Sequence, residues 1–123
     1  MSIAPEPFEI SVVSLSPQEV VEKALEFLPA SLVASTAGVQ DPGQVRKWKS
    51  GKLTPTFPTL ERLRFMLTKA LQITEVESAA VATSWLTSAS SRLNYDLPIK
   101  AIRESRYREV SEAASFFLDG YAG

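Results

Sequence analysis

Ala30-Ser-Leu-Val-Ala-Ser-Thr-Ala-Gly-Val-Gln-Asp-Pro-Gly-Gln-Val-Arg-Lys-Trp-Lys-Ser-Gly-Lys52 is the stretch from which the rest of the chain is read. It predicts two short helices with a sharp turn between them. In the first, residues 30–37, Leu32 and Val33 are apolar and Ala34 is small enough for another helix to lie close. Gly38 can adopt the positive φ that ends a helix. Asp41 then caps a second helix, Pro42 suits its first position, and Gln44 stands where it would complete a capping box. Val45 and Trp48, three apart, point inward, and Gly51 marks the end. A small residue, a glycine four later and then an inward apolar pair make the pattern of a helix-turn-helix.

The outer face of the second helix follows from the inner one. A rotation of about 100° per residue puts Gly43, Arg46, Lys47 and Ser50 outward, with Lys49 at the flank and Lys52 just past the end. Arginine and lysine reach guanine edges or phosphates, and a serine hydroxyl can donate to a phosphate. The expected DNA-contacting set is therefore Gln44, Arg46, Lys47, Lys49, Ser50 and Lys52. A merely solvated face has the same composition. Counted from Gly38, moreover, Val45 and Trp48 fall one residue later than in the commonest repressor spacing, and Gly43 leaves the start of the helix without a side chain. A helix-turn-helix serving only as scaffold for an adaptor is thus a further reading.

Charge is segregated along the 123 residues, although the formal net charge is only −1. Residues 1–43 carry one basic and six acidic side chains, and residues 71–123 carry five basic and seven acidic ones. Between them, residues 44–70 hold seven basic groups (Arg46, Lys47, Lys49, Lys52, Arg62, Arg64, Lys69) against Glu61 alone, as an electrostatic footprint for DNA would. A hydrophobic fraction of 45% suffices for a core. No run approaches the roughly 20 apolar residues of a membrane span, and the acidic start resembles neither a signal nor a transit peptide. The absence of cysteine excludes disulfides and thiolate metal sites and fits a reducing cytoplasm.

In chain order, residues 1–15 read as a flexible arm, with a short extended stretch over residues 8–13. Ser16, Pro17 and Glu19 form a cap, first position and capping box for a helix whose apolar face is Val20, Val21, Ala24, Leu25 and Leu28. After Gly51 a proline-rich loop is expected, packed down by Leu53 and Phe57. Thr59 opens the next helix, with Leu60, Leu63, Leu67, Ala70 and Leu71 inside and Arg62, Arg64 and Lys69 on the other side. Thr74 with Glu77 reads as a capping box for a fifth helix running to Leu86. A polar loop over residues 88–96 precedes a short helix opened by Pro98 and a last helix over residues 107–118. Tyr107, Val110, Ala114 and Phe117 form the inner face of that helix, with Arg106, Arg108, Glu109 and Glu112 outside. Phe116 falls off the apolar stripe, and Tyr121 lies beyond the expected helix end. Together with Phe117 and Leu118 they exceed what one short face can bury, which points to a docked partner unless the tail folds back.

The C-terminal half, with Trp85-Leu-Thr-Ser, Arg92-Leu93, Leu97-Pro98, then Ile102-Arg-Glu-Ser-Arg-Tyr107 and Val110, resembles the toxin-binding domain of Xre/ParS/MbcA-type antitoxins. That family runs through an aromatic-plus-leucine helix end, a loop, a proline-started helix and an Arg/Asp-Gly-x-Tyr-x-x-Val helix. Val45-Arg-Lys-Trp48, Ser-Gly, a proline loop and a leucine-rich helix extend the match, so that it covers roughly residues 30–118. The loop over residues 88–96 carries neither the Pro-Asn-Pro nor the Gly-Gly element common in the family.

The resemblance implies an all-α fold, a helix-turn-helix bundle (16–87) followed by a small C-terminal two-helix toxin-binding domain (88–123). It implies a partner, a RES-domain toxin that consumes NAD, neutralised by direct binding that covers the entrance to the NAD site. That role would fall to Arg103, Arg106, Tyr107, Phe116, Phe117 and Tyr121. It also implies operator DNA and autorepression, a homodimer or hetero-oligomer with the toxin, and neither cofactor nor metal.

An enzyme is not expected. Histidine and cysteine are both absent, and with them the usual general base and thiol nucleophile. The carboxylates Glu104, Glu109 and Glu112 sit among basic residues, as on salt-bridging surfaces. The main alternative is a free-standing helix-turn-helix repressor that dimerises through its C-terminal helices.

Overall fold

The computed structural model describes residues 11–122, with side chains through residue 120. Every element it contains among these residues is helical: α1 (Pro17–Phe27), α2 (Ala30–Ala37), α3 (Pro42–Ser50), α4 (Phe57–Val76), α5 (Ala79–Leu86), a 3-10 turn (Ser91–Leu93), α6 (Pro98–Arg103) and α7 (Tyr107–Ala122). The fold is all-α.

Local chemistry accounts for most helix starts. Ser16 Oγ accepts the Glu19 N–H at 3.2 Å while the Glu19 carboxylate accepts the Ser16 N–H at 2.9 Å, a complete capping box. Pro29, which ends α1, stands at the cap position of α2. Gly38 ends α2 at φ 92°, and Gly51 ends α3 at φ 82°. Asp41 caps α3 through the Gly43 N–H at 2.8 Å. The expected capping box does not form there, because the Gln44 N–H bonds instead to the Asp41 main-chain oxygen at 3.1 Å.

Helix α4 is the spine, and α1, α2, α5, α6 and α7 all pack on it. Leu63, Met66, Leu67, Ala70 and Ile73 bury its apolar face. Around it, Val20, Val21, Ala24, Val33, Ala34, Val45, Trp48, Leu86, Leu93, Ile102, Val110 and Ala114 join one hydrophobic cluster. Burial on this scale, at about 25 cal/mol per Å² of apolar surface, is the main force holding the helices together.

Further expectations need correction. The helix after the proline loop begins at Phe57 rather than Thr59, with Thr56 at its cap position and Pro58 in its first turn. Leu53 and Phe57 do not pack the loop down: they are 45% and 76% exposed, and Pro55 is the loop residue that is buried. Thr74 caps nothing. Its hydroxyl donates to Ala70 O at 2.7 Å inside α4, and Ser78 caps α5 through the Val81 N–H at 3.1 Å. Finally α7 runs to Ala122, four residues beyond Leu118, so residue 121 is helical in its backbone.

Residues 11–13, expected to end an extended arm, are helical, and Val12 is buried. The remainder of the expected arm, residues 1–10, and the side chain of Tyr121 lie outside the described residues.

Candidate nucleic-acid and partner interfaces

Helix α3 lies with Val45 and Trp48 buried against the bundle and Arg46, Lys47, Lys49, Ser50 and Lys52 exposed. Gln44 is half-buried. Among the described residues none of the four cations is within 4 Å of a carboxylate. Lys49 nevertheless sides with α1, lining a shallow cleft with Glu19, Glu22 and Glu26. The Gln18 amide donates to Lys49 O at 3.4 Å and ties the start of α1 to the end of α3. The Ser50 hydroxyl donates back to Lys47 O at 3.2 Å. A Cβ at Gly43 would stand 3.0 Å from Asp41 Oδ1, so the capping side chain would have to give by a few tenths of an ångström.

The basic block of the sequence is smaller in space than along the chain. Arg62 Nη1 donates to Ala37 O at 3.0 Å, binding the C-terminal carbonyl end of α2, where a cation suits the helix dipole. Arg64 donates to Val12 O and, at 3.0 Å, to Leu15 O, clamping the segment before α1. Lys69 leans over the Phe65 ring at 5.3 Å. These three are not a solvent-facing continuation of the α3 face.

Of the six C-terminal residues expected to meet a partner, the five with described side chains fall in four places. Arg103 Nη1 donates to Ser35 Oγ at 2.8 Å and lines a cleft beside α2 and its turn with Gly38 and Gln40. Arg106, expected outside, is a hub with only 21% of its side chain exposed. It meets Asp96 at 2.9 Å, Glu104 at 3.0 Å and Glu109 at 2.7 Å. Asp96 also accepts from Lys100 at 2.9 Å, and the bonds from Arg106 and then Lys100 hold its carboxyl below the usual range. Tyr107 packs its ring on Phe65, with centroids 4.7 Å apart. Burial pushes its phenol up.

Phe116 and Phe117 do come together. They line one groove between α5, the 88–92 loop and α7, with Trp85, Arg92 and Gly120. Phe117 is half-buried against Trp85, 6.1 Å between centroids. Phe116 is 56% exposed, and the Arg92 guanidinium lies 3.7 Å over its ring. No helix among the described residues is long and apolar enough to cross a membrane.

No protein-family model matches this chain, and neither a curated protein nor a solved structure matches it.

Two features were missed in the sequence. Arg92 reads in the sequence only as a loop residue, yet it covers Phe116. Asn94, Tyr95 and Ser105 are, among the described residues, the non-glycine positions with positive φ, at 55°, 66° and 59°. Asn94 carried a signal, because asparagine is enriched in that conformation. Tyr95 carried none.

Proposed function

We propose that the chain is an antitoxin of the Xre/ParS/MbcA kind, acting in the cytoplasm without catalysis of its own. In this reading its C-terminal half binds a RES-domain toxin at the entrance to the toxin's NAD site. Helices α2 and α3 serve as the helix-turn-helix that returns the protein to its own operator. One observation carries the reading. The family writes a glycine two residues before the tyrosine of its last motif, and here that position is Ser105, whose backbone is left-handed at φ 59°. The family also writes Gly-Gly in the loop ahead of the proline-started helix, and here that loop contains Asn94 and Tyr95, both left-handed. Left-handed backbone is where glycine is at ease and an L side chain is not. Left-handed backbone at Ser105, where the family motif has glycine, is what supports the resemblance.

The test is cellular. The protein encoded beside this chain is produced alone and together with it, and NAD is measured. NAD collapse that co-production prevents is the expected result. Steady NAD, with nothing co-purifying, removes the toxin partner.

A second reading, a free-standing repressor, shares with the first a DNA contact through the exposed cations of α3. Arg46 and Lys47 contacts to DNA predict a mobility shift that weakens steeply with salt, and Arg46→Ala should reduce the logarithmic salt slope by about one if it meets a phosphate. A shift unaffected by Arg46→Ala and Lys47→Ala, or no shift at all, leaves α3 a scaffold.

A further inference from the structure

We propose that residues 1–10, the segment joined to Ser11, dock within the same molecule over an apolar groove on α4, with the Phe8 ring covering Phe57 and Leu60. The inference goes beyond the antitoxin reading and holds whatever the chain binds. Val13 is 70% exposed and Phe57 76%, and both lie in one groove between the segment before α1, helix α4 and Ser111 of α7. The half-buried Leu60 and Phe65 line it as well. Apolar side chains gathered in this way on a surface mark a site that something covers.

The point of attachment selects the occupant. Val12 is buried, and Arg64 donates to Val12 O and Leu15 O, so the chain is already pinned to this face of α4 where residues 1–10 join it. Along a helix axis that rises about 1.5 Å per residue, Leu60 and Phe57 lie about 6 and 10 Å from Arg64. Phe8 precedes Val12 by four residues, which reach at most about 14 Å, so its ring can span that distance. A separate molecule must find the groove from solution. A tethered segment is held beside it at an effective concentration in the mM range.

The composition of the segment, Met1-Ser-Ile-Ala-Pro-Glu-Pro-Phe-Glu-Ile10, suits the groove. Ile3, Phe8 and Ile10 supply apolar surface. Pro5 and Pro7 fix φ, so less freedom is lost on docking. Its charged side chains are Glu6 and Glu9, whereas the groove sets Arg64 and Lys69 against Glu61. The signs are complementary.

Nuclear Overhauser contacts in the full chain test the docking. Contacts from the Phe8 ring to the Phe57 ring and the Leu60 methyls, unchanged on dilution, are expected. No contact from Phe8 to either residue overturns the proposal. Contacts found only between labelled and unlabelled copies in a mixed sample also overturn it, because the groove then takes a second molecule. Thermal melting gives an independent readout. Phe57 is so exposed on the described residues that its loss matters little unless residues 1–10 cover it. Phe8→Ser and Phe57→Ser are each expected to lower Tm by about 3–6 °C, and the double variant by little more than either alone. Additive losses, or an unchanged Tm in either single variant, overturn the proposal.

Discussion

Gly38 joins two demands at one atom. Its φ of 92° ends α2, and a Cβ there would stand 2.8 Å from Arg62 Nη1, the group that donates to Ala37 O. Gly38→Ala must therefore strain the backbone and displace a charge-assisted hydrogen bond. The expected loss is about 2–3 kcal/mol, made of roughly 1–2 for the left-handed backbone and the remainder for the disturbed bond. Urea titration with an unchanged slope would measure it. At the same scale, Asp96 and Glu19 define the acid limit. Both carboxyls are held below their ordinary values of 3.8 and 4.5, Asp96 by Arg106 and Lys100, and Glu19 by the Ser16 N–H and hydroxyl. A lowered folded-state pKa contributes stability above the ordinary value that is lost as pH falls through and below it. Stability is expected to decline below about pH 4.5, and Asp96→Asn should make that decline shallower. Caps such as Ser16 and Asp41 were legible in the sequence because their partners lie within three residues. The work of Arg62 was not, because its acceptor lies 25 residues back along the chain.

Among the elements, α4 shows where periodicity reads well and where it fails. Leu63, Leu67 and Ala70 were recognised as its inner face, and they are buried. Its ends were misread. Thr74 has the composition of a cap, but a threonine hydroxyl can equally donate to the carbonyl four residues earlier, and continuous packing on the other helices decides between the two. Arg64 similarly looked like part of a DNA-facing surface and instead clamps the segment before α1. Arg64→Ala is expected to raise amide exchange at Leu15, whose N–H bonds to Val12 O at 3.1 Å, by about 10-fold or more. The same variant should leave the salt dependence of any DNA binding unchanged. A flatter salt slope in Arg64→Ala would return this arginine to the DNA face. The exposed α3 cations were legible because a nine-residue helix with two buried residues fixes its own outer face. The groove that unites Trp85, Arg92, Phe116 and Phe117 was not, because it needs a loop whose path no repeat or motif specifies.

At the scale of the whole molecule, one hydrophobic cluster runs from Val20 to Ala114. It crosses the position near residue 88 where the sequence suggests a change of role. The chain has no histidine, so no side chain has its ordinary pKa between pH 5 and 8. Thermal unfolding is expected to be a single transition whose midpoint is nearly constant across that range, and two separated transitions would contradict a shared core. The packing of α6 on α2, with Arg103 bonded to Ser35, has a consequence for inheritance. A recombination event that brought the last three dozen residues to a different bundle would leave α6 facing a surface that did not evolve with it. Exchange of either half alone would break that packing, so the two are expected to be inherited as one unit rather than as interchangeable parts.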